Sequence, residues 1–522
     1  MNKRVRCTAA FAAAVMAASL LGGCGQNGVT APENVEKYTA DGELIKPEKI
    51  TVMTDGTVFT KRNGRDAFEA RWEELTGIDI EFIQPDHSAY YDVVGQTFAS
   101  GVKNWPDVIL LSSTYYSGYA EEGALWDLTE TYENSDLKKS GRLTGEDVID
   151  GMRIGGRLYG LPVNRGGGCI TYVKKKWLDN CGLEVPTTYD EYMNMLKAFT
   201  EGDPDGNGVN GDTYALSAAG FMGEESPYTN YLPEFYQESY PSFTKDENGV
   251  WYDGFMEQDF KDSLLRLRDA YVNGYVDKET LTNGTSDVRN KFYEDRCGVF
   301  TYWSGTWAEN LRSNLAKNGL DDELVPLPPI KELGNYIERT PAVWCITNSC
   351  KYPEAVYKYF IESMMDGGDM QTLWTYGVEG VHWSVQAETV CGNTYEEGQF
   401  HGLESMDKPG TQYTKGHMDP ILSIVEWEND PGIDFVAPAA KNSQEIFKEH
   451  CKQSLMVPST TEMATYNGDL TTLKRSIVAD VVVQGMPVEE AYQRFEKEHG
   501  VKWSNMIVDS LNRLAETESS RL

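Results

Sequence analysis

Between Ile50 and Ser112 the hydrophobic period switches repeatedly from two residues to about 3.6, and this constrains the fold more than any other feature. "ITVMTD" alternates as a strand, "RDAFEARWEELTG" places Phe68, Trp72 and Leu75 at helical spacing and stops at Gly77, and "IDIEFI" is again a strand. A second round follows, in which "YYDVVGQTFASG" reads as a helix ended by Gly101 and "PDVILLS" as a buried strand opened by Pro106. Strands alternating with helices across short loops imply an α/β fold with a parallel sheet wound by right-handed crossovers. Such sheets bind ligands at the carboxyl ends of their strands, here Thr54-Asp55-Gly56 and Ser112 to Tyr116.

The N-terminus constrains where the chain works. "MNKRVR" is basic, "CTAAFAAAVMAASLL" is apolar, and "GGCGQNG" is small and polar, the order of a secretory signal that is too short to span a membrane. The apolar run ends in Leu21-Gly22-Gly23-Cys24, which resembles a bacterial lipobox. Residues 1–23 are thus expected to be a lipoprotein signal peptide, with Cys24 the acylated (palmitate-bearing) residue. Residues 24–46 are polar without apolar period and read as a tether. Two or three acyl chains anchor firmly, since each buried methylene contributes about 0.8 kcal/mol.

The remaining residues exceed what one hydrophobic core usually supports, so at least two domains are expected. The formal charge of the whole chain is −34, and removing Lys3, Arg4 and Arg6 makes it more negative still. That field repels nucleic acid and anionic lipid, and an anionic ligand would need a local basic patch. Nine cysteines without C-x-x-C spacing and six scattered histidines argue against a zinc site. Buried free thiols are the default, with a Cys345–Cys350 bridge as the alternative.

"GDPDGNGVNGDTYAL" is the densest group of oxygen ligands. With Asp203 at position one, Asp205 falls at three, Asn207 at five, Gly208 at the turn and the Val209 carbonyl at seven, the order of an EF-hand calcium loop. The closing bidentate Glu is missing, because position twelve is Tyr214, and Asp212 at position ten is the one carboxylate able to complete the shell. "TYALSAAG" reads as a strand, so a sensor's exit helix is missing too. The expectation is structural calcium on Asp203, Asp205, Asn207, Val209 and Asp212, against a metal-free Asp/Gly turn.

From Tyr159 to Tyr192, "YGLPVNRGGGCITYVKKKWLDNCGLEVPTTYDEY" runs from Tyr-Gly-x-Pro through an apolar strand and Lys-Lys-Trp-Leu to Pro-Thr-Thr-x-x-Glu. This order, together with "FYEDRCGVFTYWSGTWAENL", "TPAVWCITNSCKYPEAVYKYF", "LWTYGVEGVHWSV" and "DLTTLKRSIVADVVVQGMPVEEAYQRFEKEHG", resembles the sugar-type, family 1 extracellular solute-binding lipoproteins of bacterial ABC importers. The glycine triplet after Arg165 lacks the Lys-Ser/Thr of a phosphate loop, and reads as flexible backbone at a crossing. "TYDE" from Thr188 is a capping box.

The resemblance implies a periplasmic-binding-protein type II-like fold of two α/β lobes joined by several crossings that form a hinge. It divides the chain into residues 47–163 plus 302–345 as lobe 1 and residues 164–301 plus 346–522 as lobe 2, with the tract through Trp303 returning to the first lobe. It implies no catalysis, an oligosaccharide ligand, ABC permease membrane subunits as partners, a lipid anchor on the extracellular face, and a monomer. Sugars offer C–H faces and hydroxyl rims, so aromatic platforms and planar polar groups are expected in the site. The platform candidates are Tyr115, Tyr116, Trp303, Trp307, Trp374 and Trp383; Asp55, Asn164, Arg165 and Glu379 are the polar partners. Trp303 and Trp307 share a helical face if a helix begins near Ser304, and His382 reads as structural. A secreted glycoside hydrolase needs only two suitably spaced acids among the chain's 81, and a peptide or other non-sugar ligand fits the same fold; both remain open. "YWSGT" lacks the G-x-S-x-G elbow of a serine hydrolase.

Overall fold

The computed structural model describes residues 37–55, 64–86, 89–222, 232–236, 239, 241–320, 322–390, 392–403 and 418–519. The signal peptide, Cys24, residues 24–36 of the expected tether, Gly56 and Cys391 lie outside them. The strands of the two four-stranded sheets are, in chain order, β1 (Lys49–Met53), β2 (Asp79–Ile83), β3 (Val108–Leu111), β4 (Cys169–Lys174), β5 (Tyr214–Leu216), β6 (Cys297–Trp303), β7 (Leu324–Pro326) and β8 (Val343–Ile346). Four short strands follow: β9 (Trp383–Ser384), β10 (Glu388–Val390), β11 (Asn393–Tyr395) and β12 (His401–Gly402).

The first unit comprises Met1–Arg165 and Thr340–Phe435. Its sheet has the order β8-β3-β1-β2, with β1 parallel to both β2 and β3 as the alternating periods imply. β8 adds an antiparallel edge, Val343 opposite Leu111 and Ile346 opposite Val108. The helix Arg65–Thr76 buries Phe68 and Trp72 fully and ends at Gly77, whose φ of 69° is a left-handed cap that glycine takes without strain. Those rings meet Trp374, at 5.0 Å from Phe68 and 5.9 Å from Trp72, and Phe360 closes the group. Burial of each such side chain contributes about 1.5–3 kcal/mol, which is what holds this helix to its sheet.

The second unit comprises Gly166–Arg339 and Val436–Leu522. Its sheet has the order β5-β6-β4-β7. β4 and β6 are antiparallel, from Cys169 opposite Trp303 to Val173 opposite Val299, while β5 lies parallel to β6. Gly298 is required in β6, since a Cβ there would stand 2.2 Å from the Trp177 ring. The expected capping box is formed: Thr188 Oγ1 accepts the Glu191 N–H and Glu191 Oε2 accepts the Thr188 N–H. Gly485, at φ 76°, makes the turn between the helices that follow Thr461 and precede Lys497.

The chain passes between units at Arg165/Gly166, Arg339/Thr340 and Phe435/Val436. The first falls within two residues of the expected boundary at 163/164, but the return to the first unit comes at Arg339/Thr340 rather than 301/302 and the last passage at Phe435/Val436 rather than 345/346, so two assignments are corrected. Residues 302–339 belong to the second unit, because β6 is buried along almost its whole length and is sandwiched between β4 and β5. Residues 346–435 belong to the first, because Phe360 and Trp374 fill the core beside Trp72 and Trp344. Asn164 and Arg165 also fall in the first unit. The end of the expected tether is tied down: Lys37 pairs with Glu354, and Lys46 Nζ donates to the Thr76 carbonyl at 2.9 Å. Cys345 and Cys350 are buried free thiols, so their bridge is not formed.

Candidate functional site

At the carboxyl ends of β1 and β3, the Tyr90 hydroxyl donates to the Leu110 carbonyl at 2.7 Å and reaches the Met53 carbonyl at 3.2 Å. This brings Tyr91 beside the same ends, where its hydroxyl accepts the Ser112 N–H at 2.9 Å and its ring stacks on Tyr115 at 3.9 Å, only 5° from parallel. Burial raises the Tyr91 hydroxyl's pKa against the hydrogen bonds from Ser112, and the charge of Asp55 adds to the rise. Asp55, Tyr91 and Tyr115, all half-buried, therefore form one group. Tyr116 does not join it. It is fully buried, donating to the Met152 carbonyl at 2.9 Å and accepting from the Tyr159 N–H, so helical rotation by one residue has turned it into the core.

Asn164 and Arg165 serve the first unit's own architecture. Asn164 Oδ1 accepts the Asp419 N–H at 2.9 Å, and Arg165 Nη2 pairs with Asp147 at 3.2 Å. The glycines after them are needed for close approach rather than flexibility. A Cβ on Gly166 would sit 1.7 Å from the Arg339 carbonyl oxygen, and one on Gly168 would overlap Phe447.

A second aromatic group in the first unit surrounds the Tyr-Gly-x-Glu-Gly segment. Trp374 is fully buried and belongs to the core described above, so it is no platform. Trp383 is half-buried, its Nε1 donates to the Gly377 carbonyl at 3.1 Å, and it stacks on Phe400 at 5.0 Å and 23°. Phe400 meets Tyr376 edge-on at 4.9 Å, Tyr376 lies 5.9 Å from Trp427, and the Tyr376 hydroxyl donates to Asp430 Oδ1 at 2.7 Å. Glu379 is exposed in the turn that returns to Trp383, where the Gly380 N–H donates to the Trp383 carbonyl. Sequence reasoning missed Tyr91, Phe400, Tyr376 and Trp427. Tyr376 stood inside a quoted motif, but neither Phe400 nor Trp427 carries a local signal. His382 is buried and accepts the Val378 N–H at its Nδ1, a structural role as expected.

In the second unit Trp303 ends β6 half-buried, with the Arg339 guanidinium 4.3 Å over its ring. Ser304 Oγ bonds Gln444 Oε1 at 2.7 Å, and the Gly305 N–H donates to Ser443 Oγ. Trp307 packs edge-on against Tyr302 at 4.8 Å beneath Arg289. The helix begins at Thr306, so Trp303 is a strand residue and the two tryptophans share no helical face.

The acidic loop is held by turn bonds within itself. Asp203 Oδ2 accepts the Gly208 N–H at 3.0 Å, Asp205 Oδ1 accepts the Asn207 N–H, and Asn207 Oδ1 accepts the Val209 N–H at 2.7 Å. Asn207 Nδ2 donates to both Asp205 and Asp212, drawing these side chains together. Burial pushes the Asp205 carboxyl above its ordinary value, against the Asn207 N–H, and Asp203 and Asp212 push the same way. Among the described residues Asp203 Oδ1 is buried without a hydrogen-bond partner. An unpaired buried oxygen beside crowded carboxylates fits a hard cation. Among the described residues no three His, Cys, Asp or Glu side chains form a metal group by themselves, so Asn207 and the Val209 carbonyl would have to complete any shell. The segment leaves as β5, not as a helix.

Half-exposed aromatic faces with carboxylate and hydroxyl edges can hold a ligand with apolar faces and a polar rim, and they need no reacting group to do so. The model of the bacterial extracellular solute-binding protein family matches residues 61–361. The polygalacturonan/rhamnogalacturonan-binding protein YtcQ of Bacillus subtilis is 23% identical, over 76% of this chain and 80% of its own length. Lipoprotein LipO of the same organism is 27% identical over 46% of this chain and 47% of its own. Among solved structures, an HMO-binding, ABC-transporter-associated solute-binding protein from Bifidobacterium longum infantis covers 90% of this chain and 98% of its own with a TM-score of 0.65 at 17% identity, which shows the two-lobe α/β binding-protein fold. The chain belongs to the bacterial extracellular solute-binding protein family.

Proposed function

We propose that this chain captures an oligosaccharide outside the cell and delivers it to an ABC permease, and that it is held at the membrane by acylation of Cys24 after removal of residues 1–23. The observation that carries the sugar assignment is the pair of half-exposed aromatic groups in the first unit, Tyr91–Tyr115 beside Asp55 and Trp383–Phe400–Tyr376 beside Asp430. Stacked rings with polar edges suit the C–H faces and hydroxyl rims of pyranoses and furanoses. Relatives named for polygalacturonan and HMO binding support the same class, and LipO, a lipoprotein by name, supports the anchor. Among the described residues no helix is long and apolar enough to cross a membrane. No catalytic group enters this reading, so a reporter glycoside incubated with the protein should remain intact.

Calorimetry against a panel of neutral and uronate oligosaccharides tests the reading. Binding in the micromolar range corresponds to about −8 kcal/mol, within reach of a few stacking and hydrogen-bond contacts. Trp383→Ala should weaken it about tenfold, the loss of roughly 1.4 kcal/mol expected for one stacking face. A folded mature protein that binds no saccharide of the panel would sink the sugar assignment.

The acidic loop is read as a structural calcium site in which Asp203, Asp205, Asn207, the Val209 carbonyl and Asp212 supply the oxygens. Bound calcium would supply positive charge to the crowded carboxylates. A chelator should then lower the melting temperature, and Asp203→Ala should remove that sensitivity. Identical melting with and without chelator would rule the metal out.

A further inference from the structure

His401 is fully buried, and both of its ring nitrogens face hydrogen-bond acceptors. Nδ1 lies 2.8 Å from the Gln399 carbonyl oxygen and Nε2 lies 3.1 Å from Glu388 Oε1. A carbonyl cannot donate, and an ionised carboxylate cannot either. Glu388 is held below its ordinary carboxylate value, first by the Ser384 hydroxyl and then by His401 itself. A neutral imidazole has one N–H and can satisfy only one of the two oxygens, whereas the imidazolium satisfies both. The Tyr395 ring lies 4.1 Å away and 4° from parallel, a face that favours the charged ring.

This ring stands where four short strands meet. β10 and β11 form a hairpin, with Glu388 opposite Tyr395, and β12 pairs with β9 so that His401 faces Ser384 and Gly402 faces Trp383. Phe400, the residue before His401, stacks on Trp383. Phe400 directly precedes β12, so holding His401 in place also holds the backbone that presents Phe400 to Trp383. We propose that His401 is a positioning residue, whose ring, engaged through both nitrogens, latches the β10–β11 hairpin onto β9–β12 and so sets the Trp383–Phe400 stack.

Among the described residues, the titratable groups facing the ring are Glu388 from β10 and Tyr395 from β11; Ser384 of β9 is its uncharged neighbour. Glu397, in the turn before Gln399, uses Oε2 to accept the Ala387 N–H at 3.0 Å and reinforces the same hairpin. The latch therefore needs both bonds, and a side chain at position 401 that cannot reach both oxygens loosens it. That it tunes capture of a saccharide rests on the reading of Trp383 as a platform; the latch itself does not.

Hydrogen exchange of residues 388–402, corrected for intrinsic rates, tests the latch in the full-length soluble protein without added sugar. Protection should fall about tenfold in Glu388→Leu, the size expected for one charge-assisted hydrogen bond. In Glu388→Gln the side-chain amide can still bond the ring nitrogen, so protection should be largely restored. His401→Gln should be poorly protected. Glu388→Leu or His401→Gln as well protected as wild type, or Glu388→Gln no better protected than Glu388→Leu, overturns the latch. Calorimetry with maltotriose and digalacturonate on the same variants reads the ligand assignment separately: exchange that follows the variants without sugar binding supports the latch and removes the sugar reading.

Discussion

The two units bury their polar groups differently. Among the described residues of the first, the buried polar side chains are hydroxyls, one amide and two histidines, and the sheet rests on a cluster of tryptophans and phenylalanines. In the second, charge enters the core: among the described residues every buried Lys, Asp and Glu lies there, including Lys474 with Asp253 at 2.7 Å and Lys291 with Asp277 at 2.7 Å. The sheets differ in the same sense. β1, β2 and β3 are successive in the chain and pair in parallel through local crossovers, whereas β4 pairs with β6 and β7 across long insertions. Local crossovers and matched apolar faces are enough to order the first sheet. In the second, a charge displaced from its pair would be stranded in a dry core, so each ion pair penalises alternative packings.

That contrast can be broken most severely at Asp253. Asp253→Ala leaves Lys474 buried under Phe243 and Phe255 without its counter-ion, and should cost about 3–5 kcal/mol in urea unfolding. A loss below about 1 kcal/mol would mean that water reaches this pair and the contrast is superficial. Trp374→Ala is the matching cut in the uncharged core, with Phe68, Trp72, Phe360 and Trp344 all losing a neighbour. It too should cost about 3–5 kcal/mol, by cavity formation rather than stranded charge, and without pH dependence.

A third test uses pH. Burial pushes the Glu234 carboxyl up to about 7 from an ordinary value of 4.5, with the Tyr192 hydroxyl 3.4 Å away. Between those values the native state holds a proton that the unfolded chain has released, so stability falls as pH rises through the window and then levels off. The fall should be about 3 kcal/mol, and Glu234→Gln should flatten it in urea midpoints measured across that window. A wild-type curve that rises or stays level from pH 4.5 to 7.5 would remove buried charge as the distinction between the units. The smallest effect belongs to Trp383. Trp383→Ala should change stability by less than about 1 kcal/mol despite removing the same side chain as Trp374→Ala, since it is half-buried and outside the core. Equal losses at the two tryptophans would place Trp383 in the core and withdraw it as a platform.

Much of the first unit was legible before any coordinates. The alternation around Val52 and Ile80, the 3.6 period of Phe68 and Trp72 and the cap at Gly77 are local properties, and local properties survive folding. The capping box at Thr188 and the strand exit of the acidic loop were legible for the same reason. The candidate site was legible only in part. Tyr115 and Tyr116 are neighbours in sequence, yet one stacks on Tyr91 and the other is sealed under Met152 and Tyr159, a choice set by which helical face meets the sheet. Trp374 and Trp383 stand in one short motif and divide likewise between core and half-exposed platform.

The sequence by itself determined the class of chain, its parallel first sheet and the family resemblance, because each rests on residue order within a short window. Only the tertiary structure decided that β6 stays beside β4, that residues 346–435 complete the first unit, and that Phe400 reaches Trp383 while Tyr376 reaches Asp430. Those pairings join residues up to 134 positions apart by registry, with no local period to announce them. They are selected by the burial and hydrogen bonding available once the whole unit has packed.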